Sequence, residues 1–450
     1  MSSTNSNTVQ PKPRTVGGTE CSWCKAVLGG TGIAILALLT SKPPHIPKLQ
    51  TALNKLQTSH PILRSRLHHD PNTATFSFST FPTPFIKIVS HTLSSTEDPL
   101  QYILQLELNH NTWHDLGHSD TDDVFFASVY AIPEDSKWVV VMRLHVSVCD
   151  RTTAVSLLRE LVVLMEESGC DASAENNKQE ASLPIEDLMP RGKAKKAVWA
   201  RGFDMLSYSF NSLRLTNLKF VDTKSARFSQ VVRLQLNHND TNGLLAGCKW
   251  SGIKLCGALV AAGLMAAHCS KRSSKKYGVV TLTDCRSTLE SSLSDNFGFY
   301  HSAIVNCYEM KGEERVWELA KRSYEAFESS KKGNKHFSDM ADLNFLMCKA
   351  IENPSLTPSS SLRTSIMSVF EDTVIDNGGK KQREIGVEDY MGCASVHGVG
   401  PSIAIFDTIR DGCLDCVCVY PSPLHSKEQI QELVRKMKGI LIEASNTYKQ

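Results

Sequence analysis

The chain has 450 residues, 41% of them hydrophobic and 21% charged. That balance excludes a disordered chain and leaves material for a large buried core, in two or three domains by length. With 49 basic residues against 47 acidic ones the formal net charge is only +2, so no global field of either sign marks a nucleic-acid binder.

The opening stretch MSSTNSNTVQPKPRT is polar and lacks the apolar run of a secretory signal. Residues 1–15 read as a flexible tail. The run GIAILALL, residues 32–39, is far too short to span a bilayer and reads as a buried strand or the start of a helix. In IPKLQTALNKL, Leu49, Ala52, Leu53 and Leu56 recur at helical spacing. HPILRSRL then leads to two strand-like stretches, the alternating TATFSFSTF and the short FIKIV. DDVFFASVYAI and KWVVVMRLHVSV predict two more strands joined by the turn PEDS; the second is apolar almost throughout, as expected of a strand covered on both faces. In the helix that follows, Ala154, Leu157, Leu158, Leu161 and Met165 share one face, and the pattern ends near Gly169. From Cys170 to about Ala197 the chain turns polar, with Pro184, Pro190 and the basic run RGKAKKAVWAR, as a connector between two halves would.

The second half repeats the mixture. ARFSQVVRLQL predicts a strand, and TNGLLAGCKWSGIKLCGALVAAGLMAAHCSKR one or two helices, the later part buried nearly all round. KKYGVVTLTDCRSTL reads as a strand running into a loop, YHSAIVNCYEM as another strand, and EERVWELAKRSYEAFESS as an amphipathic helix. EDTVIDNGGKKQREIG reads as a polar loop. SIAIFDTIRDGCLDCVCVYP predicts a hairpin turning at Asp411 and Gly412. A last helix starts at Ser426 with Gln429 three residues on as a capping box. Two α/β halves without strict alternation predict an α+β body of two lobes, 16–185 and 186–450.

The stretch that carries chemistry is RLHVSVCDRTTAVSLLREL, Arg143 to Leu161. Asp150, Thr153 and LLREL (Leu157 to Leu161) stand at offsets that resemble the histidine motif of the chloramphenicol-acetyltransferase-like superfamily. That superfamily includes peptide-synthetase condensation domains, alcohol acetyltransferases and plant BAHD acyltransferases, and SVCDRTTAVSLLREL is most similar to plant members. LQTALNKLQTSHPILRSRLHHD, IKLCGALVAAGLMAAH followed by VVTLTDCRSTL, and LSDNFGFYHSAIV resemble further segments in the same order, so the similarity covers roughly residues 20–445.

The resemblance implies a two-lobed chloramphenicol-acetyltransferase-like sandwich with a channel between the lobes. It implies thioester-dependent acyl transfer, with acyl-CoA as co-substrate, a small alcohol or amine as acceptor and no bound cofactor. A histidine would take the acceptor's proton, a task suited to an imidazole because its ordinary pKa lies near working pH. Asp150 would turn away from the reaction and pair with Arg286, fixing the loop. A monomer in the cytoplasm, with no nucleic-acid or membrane partner, completes the expectation.

The motif departs from that pattern. Counting back from Asp150, the catalytic position falls on Val146, His145 lies one residue earlier, and Arg151 stands where a glycine is usual. Neighbours on an extended strand point to opposite faces. Either a bulge at Val146–Ser147 rotates His145 into the channel as the base, or His145 is hydrogen-bonded beside it. In the second case acyl transfer could still proceed slowly through positioning alone; the rival reading is a catalytically reduced relative that binds acyl-CoA or a protein partner without turnover.

Other stretches carry weaker signals. His397 in SVHGVGPS reads as a solvent-facing turn residue or part of a channel wall, and His301 as a strand-surface histidine or one near the lobe interface. CSWC (Cys21 to Cys24) and the trio Cys413, Cys416 and Cys418 lack the companions of a zinc or redox site. The 14 cysteines are scattered, many in apolar runs, and read as reduced, mostly buried thiols. LGGTGI lacks the lysine of a P-loop, and the histidines of NHNTWHDLGHSD read as a polar surface loop rather than a metal site. No Gly-x-Ser-x-Gly elbow of a serine hydrolase is present.

Overall fold

The computed structural model describes residues 12–115, 122–166, 180–194, 215–268, 274–289 and 297–447. Its first sheet is built from β2 (Thr31–Thr40), β5 (Ile88–Thr92), β6 (Phe125–Ile132), β7 (Lys137–His145) and β13 (Val387–Val396). These five strands run in the order β13-β2-β7-β6-β5. A small sheet lies beside it, formed by β1 (Lys12–Thr15), β3 (Ser65–Asp70) and β4 (Thr75–Thr80) in the order β1-β4-β3. The second large sheet contains β8 (Phe228–Gln235), β9 (Lys275–Asp284), β10 (His301–Met310), β11 (Arg363–Phe370), β14 (Gly400–Arg410) and β15 (Cys413–Ser422). Its order is β10-β9-β11-β14-β15-β8, with β12 (Val374–Asp376) beside β14. This is the two-lobed α+β sandwich.

GIAILALL is β2, in the interior of the first sheet. It pairs with β7 from Ile33 opposite His145 to Thr40 opposite Trp138. Nine of its ten residues are buried, which is why the run is apolar on both faces. The helix face around Leu49, Leu53 and Leu56 in α2 (Ile46–Ser59) and the face around Leu157, Leu158 and Leu161 in α4 (Arg151–Glu166) pack against this sheet's core.

The second sheet is covered by α5 (His238–Ser251), α6 (Leu255–Ala267) and α9 (Lys427–Thr447). The stretch read as one or two helices is two. They break at Gly252, which takes φ +66° and donates its N–H to the carbonyls of Cys248 and Lys249, the left-handed helix end that glycine tolerates without strain. Between Ser251 and Leu255 the axis bends by 105°. No single helix among the described residues is long and apolar enough to cross a membrane.

Four findings differ from the sequence reading. Lys12–Thr15, placed in the tail, form β1 because they pair antiparallel with β4. EDTVIDNGGKKQREIG is not wholly a loop: it holds β12 and a short helix, Gly379–Glu384. The described part of the connector is docked, since Glu186 accepts hydrogen bonds from the N–H and hydroxyl of Thr19 at 2.6 Å each, placing a negative side chain in the first turn of the helix Gly18–Leu28. And β13, from the second half of the sequence, closes the edge of the first sheet by pairing with β2 from Val387 opposite Thr40 to Val396 opposite Thr31. Met165 lies within α4, while Gly169, Cys170 and Ala197 lie outside the described residues.

Candidate active site

A cavity of about 560 Å³ lies between the two large sheets. Its walls are mostly apolar: Ile35 of β2, Phe299 before β10, Phe370 of β11 and Phe406 of β14 all contribute. The motif Val146–Arg151 reaches it at the point where β7 ends in a single 3-10 turn, Val146–Val148, before α4 begins.

That turn decides where the motif's side chains point. Val146 lines the cavity, its Cγ1 lying 2.5 Å from where a Cβ on Gly32 would stand. His145 does not line it. Its ring is fully buried, edge-on to the fully buried Trp113 at 5.1 Å between centroids. Nδ1 lies 2.6 Å from the Ser147 hydroxyl and accepts from the Ser147 N–H at 3.2 Å, while Nε2 is sealed without a partner. Burial pushes its pKa down to about 3. The imidazole thus acts as a cap for the turn, and no bulge rotates it into the cavity.

Asp150 and Arg286 are brought together. Nη1 of Arg286 lies 2.9 Å from Oδ2 of Asp150 and Nη2 donates to Oδ1 at 3.1 Å. The carboxylate also accepts from the N–H groups of Thr153 at 2.8 Å and Tyr300 at 2.7 Å. Burial alone would raise the Asp150 pKa; Arg286 and His301 outweigh it and hold the carboxyl well below the usual range. Arg286 in turn contacts Asp284 at 3.2 Å, and Asp284 accepts from the Thr152 hydroxyl at 2.7 Å. Arg151, in the position of the usual glycine, reaches across to β14. It lies over the Phe370 ring at 4.3 Å and pairs with the fully buried Asp407 at 3.0 Å.

His301, expected either on a strand surface or near the lobe interface, takes the second place. It opens β10, is 6% exposed and lines the cavity. Its Nδ1 lies 3.1 Å from Oδ2 of Asp150, at too oblique an angle for a well-aligned hydrogen bond. Phe370 stands edge-on to the ring at 5.9 Å. The signal in the sequence was its place just after DNFG, but its neighbour Asp150 is set by the meeting of the two sheets.

The remaining candidates separate from the cavity. His397 lies outside its wall, half-buried, with Nδ1 3.0 Å from the Ser229 hydroxyl; burial, and then Arg363, lowers its pKa to about 4. Cys21 and Cys24 sit in the helix Gly18–Leu28 as free thiols, and Cys413, Cys416 and Cys418 are likewise free. Among the described residues no group of three or more histidine, cysteine or acidic side chains is arranged to hold a metal. His118 and Asp120 of the histidine-rich loop lie outside the described residues, as does Cys269.

A comparison by sequence matches no family model and no curated protein. By structure the chain is similar to TRI3, the trichothecene 15-O-acetyltransferase from Fusarium sporotrichioides, with a TM-score of 0.74 and 11% identity over 96% of this chain and 95% of that one. It is also similar to the epimerization domain from the third module of tyrocidine synthetase B, with a TM-score of 0.61 and 14% identity over 97% of both chains. A third similarity is to the EpoB cyclization-docking bidomain from Sorangium cellulosum, with a TM-score of 0.68 and 11% identity over 98% of this chain and 87% of that one. The fold is the chloramphenicol-acetyltransferase-like fold of condensation domains and acetyltransferases. At such identities the likeness carries the architecture and leaves the chemistry to the site.

Proposed function

We propose that this protein binds an acyl thioester, in the first instance acyl-CoA, in the cavity between its sheets and transfers the acyl group to a small alcohol or amine. The observation that carries the reading is the cavity itself: about 560 Å³, walled by Phe299, Phe370, Phe406 and Ile35, and bordered by an aspartate clamped by Arg286. A mostly apolar cleft with few polar groups is the usual form of a small-molecule site. The acetyltransferase activity in the name of TRI3 supports the same reading.

Acyl transfer needs the thioester carbonyl and the acceptor held together and water kept out, and positioning alone accelerates such a reaction substantially. The apolar walls provide the exclusion. The Asp150–Arg286 pair fixes the loop that joins β7 to α4 and ties it to the end of β9. A second reading, binding of an acyl-CoA or a protein partner without turnover, is favoured by one observation: a valine, Val146, occupies the cavity wall where the motif otherwise presents an imidazole.

Thermal denaturation with acetyl-, octanoyl- and palmitoyl-CoA, each against CoA alone, tests the binding step. An acyl-CoA at a hundred times its Kd stabilises by about 2.7 kcal/mol, so an upward shift of Tm with at least one chain length is expected. Release of free thiol above the buffer rate, faster with added alcohols or amines, separates transfer from binding alone. A Tm unmoved by every acyl-CoA would remove the reading.

A further inference from the structure

We propose that the general base of this site is His301, supplied by β10 of the second sheet instead of by the end of β7. This rests on the acyl-transfer reading above and deepens it. Three observations support the assignment. First, His301 is in the cavity wall, whereas His145 is not and its Nε2 is buried without a partner. Second, the Asp150 carboxylate lies 3.1 Å from Nδ1 of His301. A carboxylate beside one ring nitrogen favours the tautomer with the proton there and leaves the lone pair on the other, the arrangement that lets an imidazole accept a proton at Nε2. Third, the other titratable groups around the motif are poorly suited to the role. The Cys149 and Cys393 thiols are pushed up by burial, and so is the Tyr390 hydroxyl, which also donates to Asp376. Asp376 and Asp150 are held low by their hydrogen-bond and charge partners despite burial, which makes them weak bases.

The step balances within the site. Nε2 of His301 takes the proton of the acceptor hydroxyl as its oxygen adds to the thioester carbonyl. The tetrahedral intermediate collapses with cleavage of the C–S bond, and the same proton passes from Nε2 to the departing thiolate. The products are the ester and free CoA thiol, with the imidazole neutral again.

The variant that tests this is His301→Asn, whose side-chain amide keeps a donor toward Asp150. Binding of the best acyl-CoA, read by thermal shift and calorimetry, is expected to stay within about twofold. The rate of thiol release is expected to fall by about 10²–10⁴-fold, the usual worth of general-base help, with partial rescue by added imidazole. Bromoacetyl-CoA supplies an independent readout, since its electrophilic carbon sits next to the thioester carbonyl: peptide mass spectrometry is expected to find the alkylated residue at His301. A variant that binds and turns over like the wild type overturns the assignment. So does a wild type that binds acyl-CoA without releasing thiol, or a label found only on another residue. A wild type that binds no acyl-CoA overturns the underlying reading and this inference with it, whereas binding with intact turnover in the variant overturns this inference alone.

Discussion

Asp150 pairs with Arg286, accepts hydrogen bonds from the N–H groups of Thr153 and Tyr300, lies 3.1 Å from Nδ1 of His301, and is 3% exposed. Such a carboxylate is stable only while its partners are present, because a buried charge left alone cannot recover its hydration. Replacing Arg286 with alanine is therefore expected to cost about 3–5 kcal/mol, read as a lower urea midpoint; an unchanged midpoint would mean that the pair does not hold the lobes. This pairing was legible in the sequence because Asp150 and Arg286 sit in recognisable surroundings. The orientation of His145 was not. Strand alternation raised the question, and the answer lay in a three-residue 3-10 turn whose cap is the imidazole itself. Nor was the approach of His301 to Asp150 legible, since it depends on two sheets meeting.

At the level of elements, periodicity found what it could find. β2, β7, α4 and α9 have buried faces long enough to leave a pattern. The helix Gly18–Leu28 escaped because its sequence, GTECSWCKAVL, draws attention to the cysteine spacing, and its polar Thr19, Glu20 and Ser22 are themselves buried. β11 escaped for a similar reason: RTSIMSVF carries Arg363, Ser365 and Ser368 at buried positions, so no alternation of polar and apolar residues marks the strand. The Met340–Glu352 helix, MADLNFLMCKAIE, buries few of its residues and leaves only a faint stripe. The break between α5 and α6 offers a test at this scale. Gly252 holds φ +66°, and a Cβ added there would meet nothing within 4 Å, so Gly252→Ala brings no clash and costs only the strain of a Cβ-bearing residue in the left-handed region. A cost of about 1 kcal/mol is expected, measured by urea unfolding; a change above about 3 kcal/mol would show that packing, not dihedral preference, fixes the bend.

For the molecule as a whole, pH is the sharpest lever. Burial pushes the pKa of His145 down to about 3, and burial, with nearby cations, brings His336, His397 and His425 down to about 4. In the unfolded chain these groups titrate near about 6.5. Below that value the unfolded state binds protons that the native state refuses, so stability falls as pH falls from about 6.5 toward 4, by at most about 1.4 kcal/mol per pH unit for each group. The depressed carboxyl of Asp150 works in a lower window: its contribution is intact above about 4 and fades only below. A lower urea midpoint at pH 5.0 than at pH 7.5 is expected, and equal midpoints would contradict the neutral burial of these rings.

The crossing of β13 gives the chain a further property. Residues 387–396 complete the first sheet and the next strand, beginning at Gly400, already belongs to the second. Severing the polypeptide in the connector would consequently not yield two autonomous halves. The amino-terminal fragment would expose one whole margin of β2, hydrogen-bonding groups and aliphatic side chains together, and such a margin recruits whatever extended peptide it meets. The fragment's natural complement is the decapeptide VEDYMGCASV, so the two portions of this gene product are bound to fold as one interlocked piece.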